Sequence, residues 1–367
     1  VLIVAEAAAC AAITHALGSA YARVALGRLL QAYLDGLHVL ALPPALCEVI
    51  EADAVFSADE RAAAKKIRQK YAEHGGLAKQ LAVFGRLIDS PTQLAPVRTG
   101  QTWDIPLRWL AGQQLHETQL VAEDLHDVKV LTGAAEDSLN HRRLFAFRVR
   151  VCGVPGGGGN SHRVLAQKAV TEQRITICFV DSDKECPTAP VGPTAAKCQA
   201  VNGSGLYDLR LTGGRSLENA LPWRLLDQVR STTTPLPSVA LARLEGAAAE
   251  ASRFANLKRG VFGHDIQRLS QSPCCGYWSA VRVSLGHPPV PACCAAGCAA
   301  AAVGSCTDHF VGGYGSSTVA DAEAWLALSS GSTSRHIDYF GAPDAAEWRD
   351  LGKWVAEYGL GMPARRL

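Results

Sequence analysis

Asp181 and Asp183 stand two apart near the end of the stretch RITICFVDSDKEC, residues 174–186. The residues before them (Ile175, Thr176, Ile177, Phe179 and Val180) are apolar or β-branched, which reads as a buried strand. Glu123 closes a second such run, TQLVAE. Carboxylates at adjacent strand ends repel one another unless a positive charge sits between them, and a divalent metal ion is the usual solution. Mg²⁺ takes oxygen ligands, often one or two carboxylates together with water and substrate phosphate. The D-x-D spacing places both aspartates near one ion as the strand opens into a loop. Glu123 can be a further ligand or a general acid/base.

Two other groups could do chemistry. The glycine run VPGGGGNS lacks the Gly-Lys-Ser/Thr ending of an ATP-binding phosphate loop and is not G-x-G-x-x-G. It reads as a turn feeding a helix, where the backbone amides of Asn160 and Ser161 can face phosphate. Late in the chain, Cys294 and Cys298 are four apart, and Cys306 and His309 three apart. These four are candidate ligands for a structural Zn²⁺, with small cysteines filling a tight core as the alternative.

The elements that position these residues fall into three segments. Residues 1–115 read as a helical N-terminal domain. AITHALGSAYARVALGRLLQAYLDGL has helical apolar spacing, and SADERAAAKKIRQKYAEH opens on a Ser57/Glu60 capping box. Lys65, Lys66, Arg68 and Lys70 read as a solvated basic face, with a nucleic-acid surface as the alternative. Residues 116–240 alternate strand and helix: TQLVAE, DLHDVKVLTGAAEDSL, LFAFRVRVCGV, GGGGNSHRVLAQKAVTEQ, RITICFV and YDLRLT. That order implies a parallel sheet with covering helices, whose ligands bind at the carboxyl ends of the strands. Residues 241–367 form a mixed extension. SVALARLEGAAAEASRFANL reads as helical, the cysteine-rich segment follows, and Trp348, Leu351, Trp354, Val355 and Tyr358 mark one face of a terminal helix.

The bulk composition narrows the class. The chain has 367 residues, 48% of them hydrophobic and 19% charged, so a substantial core is expected. A net charge of +2 gives no global pull toward nucleic acid. The uncharged run VSLGHPPVPACCAAGCAAAAVGSCT is too broken by proline and glycine to span a membrane. The opening VLIVAEAAACAAITHALGSAYA has no basic start and carries Glu6, which argues against a secretory signal and points to the cytoplasm. On that reading the twelve cysteines are not a disulfide scaffold.

Glu at one strand end, a glycine turn after the next strand, and D-x-D after a later one resemble the Toprim domain of topoisomerases, primases and OLD-family nucleases. The carrying stretches are LVAEDLHDVKVL, GGGGNS and ICFVDSDK. GGRSLENALP, with Arg215, Glu218 and Asn219, is similar to an R-S-I-E-N signature, and NLKRG to a K-x-G element. Both look like marks of Toprim-like effectors in bacterial anti-phage systems such as PARIS. The resemblance covers residues 119–262.

It implies an α/β Toprim-like parallel sheet and a Mg²⁺- or Mn²⁺-dependent nuclease acting on DNA or RNA. Asp181 and Asp183 would hold the metal, with Glu123 as ligand or general base. Asp127 would support a second ion and Glu218 would be a further ligand, two ions lying ~4 Å apart. Lys184, Arg215 and Lys258 would pair with phosphate oxygens. Arg215 and Glu218 could instead form an ion pair within one helical turn. A sensor or ATPase partner protein and a homo-oligomer are the implied assemblies. The alternatives are a Toprim-like subunit that binds nucleic acid without cutting it, and a Rossmann-like sheet whose acidic residues are turn formers. A topoisomerase would need a strand-cleaving tyrosine domain, for which there is no signal.

Overall fold

The computed structural model describes residues 1–113, 115–201, 206–230, 250–269, 272–288, 309–328 and 345–363. The chain divides into two compact units. The first comprises Val1–Cys178, Val201–Leu209 and Asp350–Leu367, the second Phe179–Ala200 and Arg210–Arg349. The protein is α/β, with parallel strands in mixed sheets flanked by helices.

The first unit opens with a five-stranded sheet. Its strands are β1 (Leu2–Ala5), β2 (Val39–Ala41), β3 (Phe84–Ile88), β4 (Val97–Thr99) and β5 (Thr102–Pro106), in the order β2-β1-β3-β5-β4. β1 runs parallel to β2 and β3, β3 runs parallel to β5, and β4 is antiparallel. Helices α1 (Ala7–Ala16), α2 (Ala20–Leu34), α3 (Pro44–Ala52), α4 (Ala58–Gln69), α5 (Tyr71–Leu77) and α6 (Leu107–Gly112) connect and follow these strands.

This corrects the reading of residues 1–115 as a helical domain. The helices are present, and Ser57 and Glu60 cap α4 reciprocally, Glu60 N–H to Ser57 Oγ at 3.2 Å and Ser57 N–H to Glu60 Oε2 at 2.7 Å. The strands went unseen for a physical reason. LIVA and VLA are short apolar runs in a largely buried sheet, and such runs carry no periodicity that separates strand from helix. Nor does the chain divide near residue 115, since the first unit continues through Cys178.

A second sheet contains β6 (Thr118–Ala122), β8 (Val151–Pro155), β9 (Thr176–Val180) and β10 (Tyr207–Leu211), in the order β10-β9-β6-β8. β6 is parallel to both β8 and β9, with Gln119 opposite Cys152 and Thr176. Every residue of β6 and β9 is buried, as a parallel sheet covered on both faces requires. Helix α7 (Leu125–His141) follows β6, and α8 (Ser161–Ala166) follows β8 and continues as a π-turn over Gln167–Thr171. The expected strand LFAFRVRVCGV shortens to β7 (Arg148–Val149) and β8, and β7 pairs antiparallel with Leu360–Gly361.

The second unit holds α9 (Pro193–Gln199), a 3₁₀ turn over Leu217–Ala220, and helices Trp223–Arg230, Gly263–Arg268, Cys274–Ser284 and Thr318–Leu328. Val261–Phe262 pairs antiparallel with His309–Val311. The helix expected over SVALARLEGAAAEASRFANL lies largely outside the described residues. The terminal helix Ala346–Gly359 forms as expected and buries Trp348, Leu351, Trp354, Val355 and Tyr358. Among the described residues, no helix is long and apolar enough to cross a membrane.

Candidate metal and phosphate site

In the first unit, the buried strand β6 delivers Glu123 to the surface. The glycine loop after β8 folds back onto this strand end: Gly156 N–H bonds Ala122 O at 2.6 Å and Gly157 N–H bonds Glu123 O at 3.1 Å. A Cβ on Gly156 would fall 2.8 Å from Ala122 O, so the close approach needs glycine there. Gly157 and Gly158 take left-handed φ of 66° and 61°. Asn160 ends the following 3₁₀ turn and is exposed. Two of the expected groups, Glu123 and the glycine loop, therefore meet.

Asp127 takes part in a helix cap at this strand end. Asp124 caps α7, its Oδ1 accepting the N–H groups of His126 at 2.7 Å and Asp127 at 3.0 Å. Asp127 Oδ2 accepts the Asp124 N–H at 3.3 Å in return. This is a reciprocal capping box at a helix N-terminus, where the macrodipole also favours carboxylates.

In the second unit, Ser182 anchors the D-x-D segment. It is buried, receives Thr212 as acceptor for its N–H at 2.8 Å, and donates its hydroxyl to Gly214 O. The flanking Asp181 and Asp183 are more accessible than this anchor. Asp181 Oδ1 accepts the N–H of Leu217 at 2.9 Å. Asp183 sits at a left-handed φ of 54° and donates its N–H to Arg215 O at 2.9 Å. Its side chain rests on Gly192, where an added Cβ would fall 2.7 Å from Asp183 Oδ2.

The R-S-L-E-N segment is wired into the same unit. Ser216 N–H bonds Asn219 Oδ1 at 3.0 Å, and Asn219 Nδ2 reaches Ser252 O at 2.6 Å and Ala255 O at 3.0 Å. Glu218 is 1% exposed, and neither of its carboxylate oxygens accepts a directed hydrogen bond. Its charge faces Lys258 Nζ at 3.1 Å, from the NLKRG turn. Arg215 does not pair with Glu218; its guanidinium lies 3.7 Å from Glu185, which also meets Arg268 at 2.5 Å. Lys184 donates its N–H to Ser182 Oγ at 3.2 Å.

Sequence reasoning missed one bond beside this site. Cys186 and Cys274 form a disulfide with Cα atoms 5.4 Å apart, tying the loop after D-x-D to helix Cys274–Ser284. Trp278 Nε1–H donates to Glu185 O at 2.7 Å across the same junction. The two cysteines are 88 positions apart, and no spacing rule connects them. The expectation that the cysteines are not a disulfide scaffold did not foresee this one bond.

Asp181, Asp183 and Glu218 each offer only oxygen, the donor type that a hard divalent ion takes. Among the described residues, no three His, Cys, Asp or Glu side chains gather into a ready-made metal cage. Mg²⁺ does not need one, because it keeps several waters and takes one or two carboxylates. Of the candidate zinc ligands, Cys294, Cys298 and Cys306 lie outside the described residues, and the His309 backbone lies on the strand paired with Phe262. Compared with known protein families, curated proteins and solved structures, the chain finds no match.

Proposed function

We propose that the chain is a metal-dependent nuclease of Toprim-like layout, an effector of bacterial anti-phage defence. One observation carries the reading. Within one unit, three separate sequence motifs join: D-x-D binds the R-S-L-E-N turn through Asp181 and Leu217, and that turn binds NLKRG through Glu218 and Lys258. Stretches more than thirty residues apart have little reason to converge on buried and half-buried charge unless the charge has a use.

Asp181 and Asp183 would hold Mg²⁺ or Mn²⁺, with Glu218 as a further ligand. Bound there, the ion would neutralise the phosphodiester and acidify water. Water adds to phosphorus, one P–O ester bond breaks, and the leaving oxygen takes a proton. Arg215, Lys184 and Lys258 would orient the phosphate. Glu123 belongs to the other unit and is assigned no role at this ion. Asp127 is better assigned to the cap of α7 than to a second ion.

The rival reading is a Toprim-like subunit that binds nucleic acid without cutting it. The absence of a preassembled metal cage among the described residues favours it. Nuclease assays on plasmid DNA, single-stranded DNA and total tRNA, with Mn²⁺ or Mg²⁺, separate the two. Metal-dependent cleavage lost in D181A/D183A supports the nuclease. Retention of nucleic acid on a filter with no cleavage, with or without candidate partner proteins, supports the binder.

A further inference from the structure

Residues 141–150, HRRLFAFRVR, hold four arginines and no acidic residue. Within them Phe145 is 57% exposed, whereas every other described Phe, Tyr or Trp side chain is buried or half-buried. We propose that this turn is a docking surface for single-stranded nucleic acid. Phe145 stacks on one unpaired base, and Arg143 and Arg148 meet the flanking phosphates. The inference deepens the nucleic-acid reading above by adding a surface for the substrate, and it needs no metal ion.

The fold does not ask for these residues where they stand. Helix α7 ends in a Schellman turn: Leu144 N–H bonds Leu139 O at 2.8 Å and Arg143 N–H bonds Asn140 O at 3.0 Å. The turn holds Arg143 at a left-handed φ of 56°, a position that glycine fills at no steric cost. An arginine at a strained backbone position is a candidate for function. Its side chain is exposed and makes no hydrogen bond or ion pair with a described residue. Phe147 is the ring that anchors the turn, buried and 5.9 Å from the His74 ring. The core is served by Phe147, and Phe145 is left largely in water.

The arginines divide by what they touch. Arg142 faces the buried Glu357 at 3.7 Å and gives Nη2–H to Gln80 O at 2.8 Å, so it belongs to the framework. Arg148 Nη1 donates to Phe145 O at 2.9 Å and Phe147 O at 2.7 Å, which sets its guanidinium beside the turn that carries the exposed ring. No carboxylate among the described residues neutralises it. A ring flanked by guanidinium groups matches a base flanked by phosphates. Bases in a duplex already stack on one another, so the matching partner is single-stranded. One ring is too little apolar surface to anchor in a bilayer, yet it is a full stacking partner for one base. An acidic peptide would meet the arginines and leave the ring unused.

The test is fluorescence anisotropy of the full chain with labelled single-stranded DNA and RNA, each about 12 nucleotides long, in EDTA. Binding of either supports the surface, and the tighter one names the source. A duplex of the same sequence should bind about tenfold more weakly. F145A should lose about tenfold in affinity, and F145W should stay close to wild type. R143G should lower the slope of log affinity against log salt by about 0.7, the share of one phosphate contact. Its urea midpoint should equal or exceed that of the wild type, because glycine suits the turn, so lost binding there is not lost folding. Wild-type affinity and salt slope in both F145A and R143G overturn the inference, as does a wild type that binds no single-stranded nucleic acid at about 50 mM salt. Tighter binding to phosphatidylserine vesicles or to polyglutamate than to single-stranded nucleic acid also overturns it. Cleavage is scored separately in Mn²⁺. A wild type that binds single-stranded nucleic acid through Phe145 and cuts nothing leaves this surface standing and removes the nuclease reading.

Discussion

In the first unit, Asp124 and Asp127 hold the start of α7, each carboxylate accepting a backbone N–H from the other's turn. In the second, Glu218 is buried with no N–H directed at it, and an ammonium answers its charge. The residue chemistry is the same and the use differs. A carboxylate satisfied by fixed amides belongs to the framework, since nothing can replace those donors without unwinding the helix. A carboxylate whose charge is met by a side-chain cation and not by fixed amides is not tied to the framework in that way. Asp181 accepts an amide N–H of the turn that carries Glu218.

The contrast can be broken most sharply at Asp181 and Asp183. Replacing both with alanine should reduce metal-dependent cleavage by about 10³-fold. D127N should stay within about threefold of wild type in the same assay, as expected of a capping residue. Equal losses in the two variants would erase the distinction between framework and site.

The disulfide comes next. C186S/C274S should lose about 2–4 kcal/mol in urea unfolding under non-reducing conditions, because the bond closes a long loop. Equal midpoints for wild type and variant would show that the bond does not form. G192A comes third. Its Cβ has no room beside Asp183, so Mn²⁺ should bind about tenfold more weakly by calorimetry, about 1.4 kcal/mol. Smaller again, D124A should cost about 1 kcal/mol of stability with Mn²⁺ affinity unchanged.

The smallest effect is a pH dependence in the first unit. His74 is buried with Nδ1 on Leu40 O at 2.8 Å, and burial pushes its pKa below the ordinary histidine value. The folded state therefore binds fewer protons than the unfolded state below about pH 6.5, so stability is full above that pH and falls as pH drops through it. H74N should flatten that fall by less than about 1 kcal/mol between pH 7.5 and 5.5, read from urea midpoints.

Much of the sheet around the site was legible from sequence. TQLVAE, RITICFV and YDLRLT form β6, β9 and β10, because five-residue strand-forming runs between clear breakers leave a strong signal. The Ser57/Glu60 cap and the terminal Trp/Leu/Tyr face were legible for the same reason: each is local. The five-stranded sheet was not, since three- and four-residue apolar runs fit helix and strand alike. The site was legible as residue types and not as partners. Glu218 chose Lys258 over Arg215, and Cys186 chose Cys274, through chain separations that no local pattern encodes.

The central claim is that Asp181 and Asp183 are ligands. The most direct test is Mn²⁺ titration calorimetry on wild type and D181A/D183A, both shown to be folded by circular dichroism. Saturable binding in the wild type and none in the variant is the predicted result. No binding in the wild type, or undiminished binding in the variant, would contradict the claim and return both aspartates to the role of turn formers.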